Sequence, residues 1–236
     1  MTDTGTLILL HLDSLYVTGR GGRLTAVNQW DGGPVPRMHL ARSPAKNVWR
    51  FRHDLPDALA VALARYCRKE PPFRAQGDAL RHASAYQELL GADAPIERIW
   101  SGPVFALPHS VDLPARLATT VVPVTHHNAK LLAPCMADWL PDVPHRSPFL
   151  ALVADDKAVA VCASVRITNA AHEAGVEVHP DYRRRGYGTA VVAAWANAVQ
   201  CLGVVPLYST AWDNHASQAL AVRLGFTLIG EDHAVY

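Results

Sequence analysis

Apolar residues follow two different rhythms along the chain, and the rhythm changes near residue 120. In the first stretch, residues 7–17 form a nearly continuous apolar run that reads as extended chain. Residues 23–28 read as its hairpin partner across Gly19-Arg20-Gly21-Gly22. A phosphate loop needs a helix N-terminus directly after its glycines, and Leu24-Thr-Ala-Val-Asn is strand-like, so the cluster is read as a turn. Residues 56–69 carry apolar side chains at 59, 63 and 66, a helical spacing, with Pro56 suited to a first turn. Residues 77–90 repeat that pattern and Gly91 is the expected stop. With Gly32-Gly33-Pro34, Pro71-Pro72 and Gly102-Pro103 as turns, residues 1–119 are expected to form an accessory α+β region.

Beyond residue 120 the pattern becomes regular. It predicts a strand at 121–124, a helix at 126–140 closed by Pro141, and two strands at 149–154 and 158–166 joined at Asp155-Asp156-Lys157. A further strand follows at 172–179, then a helix at 186–202 with Val191, Trp195, Ala198, Val199 and Leu202 on one face. A strand at 204–210, a helix at 214–224 and a last strand at 226–229 complete the list. An antiparallel meander followed by β-α-β-α-β gives an α/β fold, a mixed sheet flanked by helices, over residues 120–236.

Composition narrows the class without naming a chemistry. The 236 residues are 50% apolar and 18% charged, enough for a core and unlike a disordered chain. With 22 Lys+Arg against 21 Asp+Glu the formal charge is +1, which argues against nucleic acid as the main partner. No apolar run approaches the ~18 residues of a membrane helix, and the start lacks a basic region and an apolar export core. A cytoplasmic protein away from membranes is expected. Cys67, Cys135, Cys162 and Cys201 are dispersed and read as reduced, mostly buried thiols. Of 12 histidines only His126-His127 are adjacent, and no metal-ligand spacing occurs, so no metal is expected.

The informative stretch is Val176-Glu-Val-His-Pro-Asp-Tyr-Arg-Arg-Arg-Gly-Tyr-Gly-Thr189. A strand ends at Pro180, three arginines follow, and a glycine pair opens a helix. Gly186 and Gly188 remove Cβ atoms where the backbone turns, so several N–H groups can point at one spot. The helix adds unpaired amides and the positive end of its dipole. Arg183, Arg184 and Arg185 add formal charge, which together suits a pyrophosphate. A second stretch, residues 210–226, puts Asn214 and Ser217 at the start of a helix that exits through Leu224-Gly225-Phe226.

The two stretches resemble the acyl-CoA signatures of the GNAT superfamily of N-acetyltransferases. The first is similar to the family's Arg/Gln-x-x-Gly-x-Gly/Ala loop, as Arg183-Arg-Arg-Gly186-Tyr-Gly188 preceded by Val178-x-Pro180. The second is similar to its Asn-x-x-Ser/Ala helix ending in Gly-Phe. The resemblance covers residues 120–236, and the residues 171–177 also resemble a bacterial subgroup with an added N-terminal region. It implies acetyl-CoA as co-substrate, with the amides and side chains of Arg183, Arg184, Arg185, Gly186, Tyr187, Gly188 and Thr189 around the pyrophosphate. The pantetheine arm would lie between splayed strands, Val176–Val178 on one side and residues 207–210 on the other. Pro206 suits a strand start without a ladder partner. The Val178 N–H would receive the thioester carbonyl, and Asn214 and Ser217 would begin the helix beside the pantetheine.

The reaction so implied is transfer of an acetyl group to a primary amine by direct attack, and the amine needs a base. Glu173 leads as base or anchor of a relay water, followed by Glu177 and His172. Alternation along the strand puts the two glutamates on one face and His172 on the other, unless a bulge intervenes. Many family members carry a tyrosine four residues beyond the Ser217 position, and here that residue is Ala221. Tyr208 and Ser217 are candidate replacements as proton donor. The missing tyrosine keeps a second reading open, an acyl-CoA-binding sensor or scaffold with little turnover. The acceptor, a small molecule or a peptide amine, is left open, as is a homodimer.

Overall fold

The computed structural model describes residues 3–107, 109–112 and 120–236; residue 119, the expected end of the accessory region, lies outside them. The chain opens not on a strand but on helix α1 (Thr4–Leu15). The Asp3 carboxylate accepts from the N–H groups of Gly5 and Thr6 at 2.8 and 3.1 Å, an N-cap that starts the helix. Ile8, His11 and Leu12 are buried at i, i+3, i+4 spacing, so the apolar run hides a helical period. Strands β1 (Tyr16–Thr18) and β2 (Leu24–Val27) form the expected antiparallel hairpin, with Gly21 and Gly22 at positive φ in its turn.

Strands β3 (Met38–Arg42) and β4 (Asn47–Phe51) precede helices α2 (Asp57–Lys69) and α3 (Ala83–Asp93) and strand β5 (Ile99–Ala106). The third helix starts later than the pattern suggests and runs through Gly91. The preceding loop is held by Asp78, whose carboxylate accepts from the N–H groups of Arg74 and Ala75. Strands β6 (Val121–Pro123), β7 (Phe149–Ala154), β8 (Lys157–Ile167) and β9 (Ala171–Val178) follow. The expected helix at 126–140 is instead two 3₁₀ turns, Ala129–Leu131 and Ala137–Asp142. Pro134 between them has no N–H to continue a helix. Asp155 and Asp156 both take positive φ, the backbone of a tight type I′ hairpin between β7 and β8. Helix α4 (Tyr187–Cys201), strand β10 (Val205–Ser209), helix α5 (His215–Arg223) and strand β11 (Thr227–Val235) complete the mixed α/β fold.

Two compact units share these elements. The first comprises Met1–Phe105, Ser209–His215 and Leu228–Tyr236. Its strands run in the order β4-β3-β11-β5, and β3 is antiparallel to both β4 and β11. On one sheet face Met38, Leu40 and Val235 pack with Leu63, Cys67, Tyr86 and Leu90 of α2 and α3. On the other, Asp232 of β11 meets His11 of α1 at 2.6 Å and His39 of β3 at 3.0 Å. The last strand is longer than the pattern over 226–229 suggests, because Glu231-Asp232-His233 interrupts the apolar run without interrupting the ladder.

The second unit comprises Ala106–Tyr208 and Ala216–Thr227, with strand order β10-β9-β8-β7-β6. All pairs are antiparallel except β9 with β10, which α4 connects. Val191, Trp195 and Val199 of α4 are fully buried. A separate cluster around Leu132, Met136, Phe149, Val161 and Ala163 fills the opposite face.

Candidate active site

The parallel pairing of β9 with β10 is short. It joins residues 205–207 to residues 171–173 and goes no further, although β9 continues to Val178. On its other edge β9 pairs with β8 throughout, and His179 N–H donates to the Val159 carbonyl at 3.0 Å. That bond makes Ala160 and Val178 a non-hydrogen-bonded pair, so the N–H and C=O of Val178 turn away from β8. The same parity turns Val176 that way. Both residues therefore offer backbone groups on the edge that β10 has left. The Val178 carbonyl there accepts from Arg183 Nε at 3.2 Å. Pro206 sits inside β10 in register with His172, rather than at an unpaired strand start.

The loop after β9 is built for a turn into a helix. Arg184 takes φ +60° and Gly186 φ +81°, and Gly186 is the N-cap of α4. The first helical bond is Ala190 N–H to the Gly186 carbonyl. The amides of Tyr187, Gly188 and Thr189 thus precede the helical ladder at its positive end. Arg183, Arg184 and Arg185 are exposed beside them. Tyr182 braces the loop: its ring stacks on Tyr187 at 6.4 Å, lies under the Arg185 guanidinium at 5.0 Å, and its hydroxyl donates to Asp155 at 3.0 Å. Gly188 serves a different purpose from Gly186. A Cβ there would stand 3.1 Å from Leu220 and 3.2 Å from Val178, so its absence lets α4 close onto β9.

Strand alternation separates the three base candidates. His172 is buried on the α4 side, where its Nδ1 lies 2.9 Å from Ser164 Oγ and Trp195 Nε1 donates to the same hydroxyl at 3.0 Å. Burial lowers the His172 pKa, so the ring is neutral at pH 7. Glu173 and Glu177 lie on the opposite face with Gly175. Glu177 is exposed and accepts from Trp139 Nε1 at 2.6 Å. Glu173 is 2% exposed and stands opposite Arg166 in the ladder. The bulge lies on the neighbouring strand: Ser164 and Arg166 face Ala174 and Glu173, leaving Val165 extra. A Cβ on residue 175 would come 2.2 Å from Val165, so the bulge requires Gly175.

On β10, Tyr208 is buried and its hydroxyl lies 2.5 Å from Ser217 Oγ of α5. Burial pushes the phenol up to about 12, despite that hydrogen bond. Ala221, one turn beyond Ser217, is fully buried. Asn214 is exposed just before α5 and its N–H donates to the Ala211 carbonyl at 3.1 Å; it belongs to the first unit. No motif marks Trp139 or Ser164; their contacts with Glu177 and His172 join positions far apart in the sequence or across a hairpin. Cys67 and Cys162 are buried free thiols, Cys135 is half-buried and Cys201 exposed. Among the described residues no group of three His, Cys, Asp or Glu is placed to hold a metal, and no helix is long and apolar enough to cross a membrane.

The β9 edge beyond residue 173 runs into a helix N-terminus flanked by three exposed arginines, a set of backbone donors and positive charge that can face an extended anionic group. Residues 117–226 match the model of the Acetyltransferase (GNAT) family, and the chain carries a GNAT acetyltransferase domain there. No curated protein matches the sequence. Among solved structures, a GNAT-family protein from Novosphingobium aromaticivorans is similar with 15% identity and TM-score 0.48, over 59% of this chain and 65% of that one. The match therefore spans just under two thirds of that protein. A GCN5-related N-acetyltransferase-like protein from Streptococcus suis shares 16% identity, TM-score 0.48, over 85% and 84% of the two chains. A GCN5-related N-acetyltransferase from Sphaerobacter thermophilus shares 11%, TM-score 0.49, over 93% and 78%. These are distant likenesses.

Proposed function

We propose that the chain is an N-acetyltransferase that moves an acetyl group from acetyl-CoA to a primary amine. The observation that carries this reading is the unpaired edge of β9 at Val176 and Val178, running into the amide-rich start of α4. Residues 183–189 would hold the pyrophosphate through backbone amides and arginine charge, and the β9 edge would pair with the amides of the pantetheine arm. Acetyl-CoA supplies the activated acetyl thioester and departs as the thiol. The Val178 N–H is the donor positioned to stabilise charge on the carbonyl oxygen. Glu173 takes the ammonium proton of the acceptor, directly or through water, so that the free amine can form the new C–N bond as the C–S bond breaks; the second proton, shed by nitrogen as the amide forms, balances the one taken up by the departing thiolate.

A thiolate with pKa ~8.5 is a tolerable leaving group near neutrality, so Ala221 does not forbid turnover. Tyr208, held protonated by burial and hydrogen-bonded to Ser217, is the donor we assign to it. Ala221 equally supports a second reading, acyl-CoA binding without turnover. Free thiol released from acetyl-CoA decides between the two. Release that rises when primary amines are added, with acetylated amine detected by mass, supports the enzyme. Coenzyme A binding with no amine-dependent release across a broad amine panel supports the binding module.

A further inference from the structure

Alternation along β11 sends Glu231 and His233 to one face of the sheet and Asp232 to the other. Asp232 is consumed by His11 and His39. Glu231 and His233 instead line a cavity of about 410 Å³ whose walls include Asp78, Leu80, Ala83 and Trp212, all from the first unit. Two of those side chains are carboxylates and none is a lysine or arginine. Arg42, opposite Glu231 in the ladder, donates to Glu231 Oε1 from both Nε and Nη2, and also to the Asp78 carbonyl at 2.6 Å. The guanidinium thus fixes the carboxylate by one oxygen. His233 is 8% exposed and its Nε2 has no hydrogen-bond partner. A buried polar nitrogen without a partner costs free energy that a bound group can recover.

We infer that this cavity binds a small ligand carrying a protonated amine on an apolar or aromatic body. An ammonium offers three donors, which Glu231, the neutral His233 ring and the Asp78 carboxylate can share. Trp212, packed against Phe73 with ring centroids 6.5 Å apart, supplies an aromatic wall, and Leu80 and Ala83 supply apolar surface. The inference rests on the cavity alone and not on the acyl-transfer reading.

The test is calorimetric titration of the full chain with 2-phenylethylamine and, as an uncharged control of the same shape, 2-phenylethanol. The amine is expected to bind at least ~10-fold more tightly than the alcohol, the usual scale for a charge-assisted hydrogen bond. Glu231→Gln should erase that preference while leaving coenzyme A affinity unchanged. Because Glu231 also anchors Arg42, Ala79→Trp is the second variant: residue 79 is exposed on the cavity rim, and a large ring there should block the amine without touching the Arg42 network. Equal affinity for amine and alcohol, no binding of either, or binding unchanged in Ala79→Trp would overturn the inference. Loss of coenzyme A binding in the wild type would sink the acyl-transfer reading and leave this one standing.

Discussion

Gly186 and Gly188 stand two residues apart in one motif and are glycines for different reasons. The first needs a left-handed backbone at φ +81°, which costs an L-residue roughly 1–2 kcal/mol. The second needs room for α4 to meet β9. Both were visible in the sequence as a pattern, but their separate reasons were not, since contact with Leu220 depends on a helix more than thirty residues away. Glu173 shows the same limit. Its face on the strand follows from alternation alone, whereas its place opposite Arg166 depends on the bulge at Val165, which no period of the sequence announces. If Glu173 is the base, Glu173→Gln should lower turnover ~100-fold, the usual range for losing one, and flatten the acidic limb of the pH–rate profile. Coenzyme A affinity should not change. Full rate in that variant, with loss in Glu177→Gln, would move the base to the exposed end of the strand.

Among the elements, those with clean periods were legible: α2, α4, the β7–β8 hairpin and β9 all fall within a few residues of expectation. Other elements depart from their local pattern for physical reasons. The apolar run of α1 is dense enough to suit either strand or helix, and the Asp3 cap decides it. The stretch 126–140 has helical spacing but loses its ladder at Pro134. The strand β11 hides behind three polar residues because each finds a partner or a cavity across the sheet. Those residues also make stability depend on pH. Burial, with His39 and Arg42 nearby, lowers the His233 pKa from 6.5 to about 4. The unfolded chain then binds a proton that the folded chain refuses, so stability is full above pH ~6.5 and falls as pH drops toward 4, by on the order of 3 kcal/mol. His172 shifts the same way through burial, while Glu231, raised by burial, works in the opposite sense. Urea midpoints at pH 7.5, 6 and 5 should show this loss, and His233→Gln should shrink it. An unchanged slope in that variant would show that His233 does not carry it.

For the whole molecule, the order of residues and the compact units do not coincide: Leu228–Tyr236 belongs with the N-terminal strands. Local periodicity marks consecutive stretches of chain, and the pairing of β3 with β11 joins residues nearly two hundred positions apart, beyond the reach of any local period. The acyl-CoA motifs escape this limit because a strand, a loop and a helix N-terminus that follow one another directly are local in sequence. Calorimetric titration of coenzyme A against the wild type and Gly186→Val tests the role of these motifs most directly, with circular dichroism confirming that the variant is folded. The wild type should bind, and the variant, unable to hold φ +81° without strain or to bring its backbone close to a pyrophosphate, should not. Binding of equal strength by both proteins, or by neither, would contradict the assignment of residues 176–189 as the seat of coenzyme A.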